Sequence, residues 1–134
     1  MHAIAYVSSA SCNLLQEQLD RIVAESRRLN ALNGITGVLL YCDGSFMQYF
    51  EGELDAVIET FTRIRASESH YQINELMNQP IVEREFSDWT MGWFLPSPDE
   101  FVELSSARWK GSAQTGPGAT LLRSFWSGCR SHGA

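Results

Sequence analysis

Hydrophobic and polar positions along the chain follow two periods, and each change of period marks an element. Residues 2–9 (HAIAYVSS) alternate small and larger groups with Ile4, Tyr6 and Ser8 on one side, the pattern of a strand covered on both faces. From Asn13 the spacing lengthens. Leu15, Leu19, Ile22, Ser26 and Asn30 fall on one helical stripe, with Asn13 and Gln16 placed to cap its start. Gly34 to Cys42 (GITGVLLYC) is β-branched and aliphatic, and Asp43-Gly44 suits the type I′ turn of a hairpin whose second strand is Ser45 to Glu51. The period of two puts Phe46, Gln48 and Phe50 on one face of that strand and Met47, Tyr49 and Glu51 on the other. Leu54, Val57, Ile58, Phe61 and Ile64 mark a second amphipathic helix. Strands are predicted around Gln72 to Met77 and Trp89 to Leu95, joined by a charged loop, Asn78 to Asp88, that contains Pro80.

The order strand, helix, strand, strand, helix, strand, strand predicts an α+β fold: a ferredoxin-like, mixed five-stranded sheet with two helices on one face. The other face, carrying Ala3, Ala5, Val7, Met47 and Phe94, then needs a cover. Ser97-Pro98-Asp99-Glu100 has the cap, first-turn proline and capping-box glutamate of a short helix running to about Trp109. Gly111 to Gly118 has linker composition, and Leu121, Leu122, Phe125, Trp126 and Cys129 mark one side of a last helix. These C-terminal helices are either the missing cover or a protein-binding surface. The expected division is a sheet domain over 1–96 and a helical extension over 97–134.

Composition narrows the picture. A chain of 134 residues that is 44% hydrophobic supports one domain with a real core. A net charge of −6, from 10 basic and 16 acidic residues, repels nucleic acid. No stretch approaches the roughly 20 apolar residues of a membrane span, and the N-terminus lacks the layout of a secretion signal. A cytoplasmic location is therefore expected. Cys12, Cys42 and Cys129 suggest neither a disulfide framework nor a metal knuckle, and His2, His70 and His132 lack ligand spacing.

Three polar residues break the apolar pattern. Gln48 sits between Phe46 and Phe50 on the face the helices should cover, where an unpaired amide costs about 1–3 kcal/mol. It is either a core glutamine satisfied by backbone or a ligand contact. Asn30 lies on the inner stripe of the first helix, although a helix C-terminus also suits asparagine. Tyr6 brings a phenol, which needs a hydrogen-bond partner when buried. One phenol and two amides, with no carboxylate, histidine or thiol on the same pattern, suit holding the edge of a heteroaromatic ring. They suit hydrolysis poorly, because no general base joins them, so no enzyme activity is predicted. Trp89, Met91 and Trp93 fall on one side of the last strand, a core-like stripe whose methionine repacks easily.

At these residues the sequence resembles the BLUF family, the blue-light sensors using flavin, from about residue 2 to residue 95. Tyr6-Val7-Ser8 is similar to the family's first-strand motif. Asn33-Gly34-Ile35-Thr36-Gly37 through Phe46, Gln48, Glu51 and Gly52 is similar to its hairpin motif, and Arg84-Glu85-Phe86-Ser87-Asp88-Trp89-Thr90-Met91 to its closing motif. The resemblance implies a non-covalent flavin between the two helices, FAD in most members, with FMN or riboflavin as alternatives. It assigns electron and proton transfer in light to Tyr6, the rearranging hydrogen bonds to Gln48, and the ring edge to Asn30. Ser8 and Ile35, within the motifs, would lie beside the flavin. Arg63, or Arg65, would serve its phosphates unless both are simply solvated. Two segments depart from the pattern: Leu29 stands where several members carry a second asparagine or a histidine, and Ser67-Glu68-Ser69-His70 has serines where aspartate and arginine are frequent.

The implied output runs from Gln48 through Trp89 and Met91 to the terminal helices, and thence to a regulatory protein in trans, with a homo-oligomer expected. The competing readings are a small flavin redox protein, a flavin-free interaction protein of the same fold, and a flavin–cysteine adduct sensor acting through Cys42. The redox reading lacks a GxGxxG fingerprint. Gly34-Ile35-Thr36-Gly37 is read instead as part of a strand that a helix or ligand approaches closely.

Overall fold

The computed structural model describes residues 1–11, 14–87 and 89–106, with the side chains of Phe94 and Ser106 left aside. Their elements run β1 (His2–Ala10), α1 (Gln16–Asn33), β2 (Thr36–Cys42), β3 (Ser45–Gly52), α2 (Leu54–Ala66), β4 (His70–Pro80), β5 (Gly92–Phe94) and α3 (Pro98–Ser106). The sheet order is β4-β1-β3-β2-β5, antiparallel except where β5 joins β2. This is the mixed five-stranded α+β architecture expected from the element order. The cap at Asn13, the thiols of Cys12 and Cys129, the linker and the last helix lie outside the described residues.

The hairpin turns at Asp43 (φ 47°) and Gly44 (φ 83°), the paired positive φ angles of a type I′ turn. Its register sets Tyr6 opposite Gln48 on β1–β3 and Leu39 opposite Gln48 on β2–β3, so the glutamine stands at the centre of the sheet. Helix α1 starts at an N-cap Leu15 whose backbone N–H is taken by the Gln18 side chain at 2.8 Å. Leu15 is therefore an exposed cap residue and not part of the buried stripe, which is Leu19, Val23 and Asn30. The helix ends on Gly34 in the left-handed region (φ 68°), so Gly34 is a cap and β2 begins at Thr36. The close approach at Gly37 comes from the neighbouring strand, since an added Cβ would lie 2.0 Å from the Tyr49 carbonyl oxygen.

Helices α1 and α2 both cover one face. Val57 and Phe61 of α2 pack on Ile4, Tyr6, Ile35 and Phe50, and Leu19 and Val23 of α1 pack on Leu39, Phe46 and Met91. The buried stripe of α2 is Val57, Thr60 and Phe61. Leu54 and Ile58, expected inside, are about half exposed, because the helix presents a narrower face than a purely apolar count implies. On the opposite face Ala3, Ala5, Val38, Leu40, Met47, Tyr49 and Met77 are covered by Ile81 and Phe86 of the β4–β5 connection and by Leu104 of α3. The first C-terminal helix is thus part of the cover, one of the two alternatives for it, and the connection supplies the rest.

Strand β4 is longer than predicted and β5 shorter, so the connection is residues 81–91. Trp89 and Met91 precede β5; Met91 shares a face with Trp93, but Trp89 breaks the period of two. Trp89 packs with the cluster under α3, while Met91 is buried with Leu19, Val23 and Phe46 on the helix face. The connection crosses from one face of the sheet to the other at the β2 edge, where the Gly37 N–H bonds the Trp89 carbonyl at 3.0 Å.

Candidate functional site

Between α1, α2 and the sheet lies a cavity of about 450 Å³, within the size range of small-ligand sites. Its floor is buried: Tyr6, Leu39, Phe46 and Gln48 from the sheet, Asn30 from α1 and Thr60 from α2. Its mouth is exposed and polar, with Arg21 and Glu25 on α1 and Ser67 and Ser69 after α2. Half-buried Arg63 lines the same cavity, whereas the Arg65 guanidinium sits 4.4 Å over the Phe61 ring.

Tyr6 stands on β1 among Phe50, Phe61 and His70, with ring centroids 6.4, 5.9 and 5.9 Å away. Burial raises its pKa well above the ordinary phenol value, so it is held as a hydroxyl donor. That hydroxyl donates to Gln48 Oε1, and the Gln48 amide nitrogen points to Met91 Sδ at 3.8 Å. Phenol and amide on the floor and the thioether beyond them form one chain. The Gln48 amide has two faces of opposite character, an acceptor and a donor, so half a turn of it reverses what both Tyr6 and Met91 meet.

Asn30 lies within α1, three residues before its end, and donates through Nδ2 to the Thr90 carbonyl at 2.7 Å. Arg27 Nε donates to the Met91 carbonyl at 3.0 Å. Helix α1 therefore holds the end of the β4–β5 connection against the cavity wall. Ser8 is buried one step behind the wall, where its hydroxyl meets His70 Nδ1 at 2.7 Å while His70 Nε2 meets the Ile64 carbonyl at 2.9 Å. Ile35 does not reach the cavity. It is buried against Phe50, Val57 and Phe61, because the cap at Gly34 turns it under α2.

Thr60 was missed by sequence reasoning. It is on the inner face of α2 between Val57 and Ile64, the same signal that singled out Asn30, and a polar residue at the fourth position of an apolar stripe could have been flagged. Its Oγ1 is buried and without a hydrogen-bond partner among the described residues. Thr60 lines a cavity whose floor already carries two amides, which fits a ligand with hydrogen-bonding edges, and the apolar Leu39 and Phe46 fit its flat faces. Cys42 does not line the cavity, and burial together with the Asp43 carboxylate raises its pKa, so the thiol is poorly placed for an adduct. No group of residues suited to a metal occurs among the described residues.

The family profile of BLUF, described as sensors of blue-light using FAD, matches residues 1–92. The chain belongs to the BLUF family. Among relatives, the photoactivated adenylate cyclase subunit beta of Euglena gracilis is 35% identical over 89 residues, 66% of this chain and 10% of that protein. This chain thus spans about a tenth of the length of the curated relatives it matches. The photo-activated state of BlsA superposes with TM-score 0.70 at 32% identity, covering 79% of each chain. The dark state of BlrB, a BLUF protein, superposes with TM-score 0.67 at 33% identity, covering 78% of this chain and 77% of that one. The fold and blue-light, flavin-using family read from the sequence are thereby established. No helix among the described residues is long and apolar enough to cross a membrane.

Proposed function

We propose that this BLUF chain senses blue light with a flavin held non-covalently in the cavity, and that Tyr6 and Gln48 are its photoactive pair. The observation that carries the reading is the unbroken chain from the Tyr6 hydroxyl through the Gln48 amide, both on the cavity floor, to the Met91 thioether. When bound, the flavin supplies absorption of blue light and an excited state that accepts an electron. Tyr6 is the donor of electron and proton, and both return to it, so the cycle has no net redox change. Asn30 and Thr60 hold the ring edge, with Ser8 acting at one remove through His70. The polar mouth with Arg63 and Arg21 favours a flavin bearing phosphates, FAD before FMN or riboflavin.

Gln48 is the switch because its donor and acceptor ends are exchanged by rotation or tautomerisation. After exchange the Tyr6 hydroxyl no longer meets an acceptor in Oε1, and Met91 no longer faces the amide N–H. Met91 then repacks, and the β4–β5 connection carries the change to the cluster of Phe86, Trp89 and Leu104 on the far face. Trp89 acts on that far face, not beside Gln48. Residues 1–96 form the sensing unit in this reading, and 97–134 carry output to a regulatory protein in trans, with a homo-oligomer as the presented form. Signalling, rather than turnover at the flavin, is the activity proposed, in a cytoplasmic setting.

The test is the absorption of flavin-loaded protein in the dark and after blue light, in the native chain and in Gln48→Leu. The reading predicts a reversible shift to longer wavelength in the native chain and none in the variant. A normal shift in Gln48→Leu would sink the assignment of the switch.

A further inference from the structure

Glu51 of the hairpin motif is a charged residue away from the cavity. Glu51 lies on the β3 face turned away from it and is wholly buried. Its carboxylate receives four donors: Thr36 Oγ1 at 3.0 Å and the Phe86 N–H at 2.7 Å on Oε2, the Tyr49 hydroxyl at 3.1 Å and the Glu85 N–H at 2.7 Å on Oε1. Two of these partners are backbone N–H groups that can only donate, and two are hydroxyls that can donate or accept. Burial pushes the carboxyl pKa up, while these hydrogen bonds pull it back. The charged and titratable neighbours are Tyr49, Glu85 and Arg84. The Arg84 guanidinium bonds Thr36 Oγ1 at 2.9 Å, the Glu51 carbonyl at 3.4 Å and the Gly34 carbonyl at 2.8 Å.

The two backbone N–H groups bound by Glu51 belong to the connection that crosses the sheet. Besides the Arg84 side chain, that connection is held by Glu51 at residues 85 and 86 on one face, by Gly37 at residue 89 on the β2 edge, and by Asn30 and Arg27 at residues 90 and 91. A loop free at its far end would absorb a displacement of Met91 by local rearrangement. A loop clamped there passes it on. Resting on the sensor reading above, we infer that Glu51 is a positioning residue for signal output: its carboxylate fixes the Glu85–Phe86 end of the connection to β3, so that movement at Met91 reaches Phe86, Trp89 and α3.

Glu51→Gln separates the two functions. A glutamine retains one oxygen for two of the donors but turns its NH2 against the other two, so one of the Glu85 and Phe86 N–H groups loses its acceptor. Nothing at the cavity floor is altered. The experiment uses the full flavin-loaded chain and reads two signals, the light-induced absorption shift and the light-minus-dark hydrogen exchange of the α3 backbone amides. The expected result is a native-like shift in Glu51→Gln with loss of the light response in α3. A retained α3 response overturns the inference. Absence of any shift in the native chain instead overturns the sensor reading, and the inference with it. If Glu51→Gln does not yield loaded protein, Glu51→Asp keeps the charge but draws the carboxylate back by one methylene from the Glu85 and Phe86 N–H groups. An undiminished α3 response in that variant also overturns the inference.

Discussion

Replacing Thr60 by valine separates the stability of the empty protein from its affinity for flavin, and predicts opposite signs for the two. The Thr60 hydroxyl is buried without a hydrogen-bond partner among the described residues, and Thr60 lines the cavity. In the unfolded chain it is hydrated, so folding without ligand leaves a desolvation penalty of about 1–3 kcal/mol for such a group. Valine removes the hydroxyl at similar shape and nearly equal helix propensity, so neither packing nor α2 itself masks the effect. Thr60→Val should stabilise the flavin-free protein by about 1–3 kcal/mol. If the hydroxyl bonds the flavin, the variant loses one hydrogen bond, about 0.5–1.5 kcal/mol of affinity, or roughly twofold to tenfold in Kd. Urea unfolding of the flavin-free protein and a flavin titration followed by fluorescence quenching give the two numbers. A destabilised empty variant with unchanged flavin affinity would refute the claim that Thr60 faces the ligand.

Other outcomes follow from the same geometry. Met91→Ala should cost about 2–5 kcal/mol by cavity formation, yet leave the absorption shift present, since Tyr6 and Gln48 are intact; thermal unfolding and difference spectra check the pair. Asn30→Ala frees the Thr90 carbonyl and should cost about 1 kcal/mol, measurable by urea unfolding of the empty protein. Tyr6 and Tyr49 both have pKa values raised by burial, so the folded chain keeps protons that the unfolded chain releases above about pH 10. Their stability contribution is therefore full below that pH and lost as pH rises beyond it. Alkaline unfolding should be shallower in Tyr49→Phe than in the native chain.

The hairpin and the faces of β3 were legible because a period of two leaves no freedom once the turn is fixed. Asp43-Gly44 sets the register, and Phe46, Gln48 and Phe50 then share a face. Gln48 and Asn30 stood out as amides on apolar stripes, and both reach the cavity. What escaped the sequence depends on chain that has no period. The connection at residues 81–91 is held by backbone groups bonded to Glu51, Gly37, Asn30 and Arg27, and these contacts leave no mark in a hydropathy pattern. Extending the strand period back through it put Trp89 beside Met91, although the crossing places them on opposite faces. Ile35 misled for a related reason, since the cap at Gly34 and not the strand pattern sets its direction.

The measurement that bears most directly on the account is the visible absorption of the native chain, supplied with FAD, before blue light, during it and after dark recovery. The account predicts a bound flavin whose spectrum moves to longer wavelength in light, without bleaching, and returns in the dark. A chain that takes up no flavin, or a bound flavin that light leaves unchanged, would contradict it.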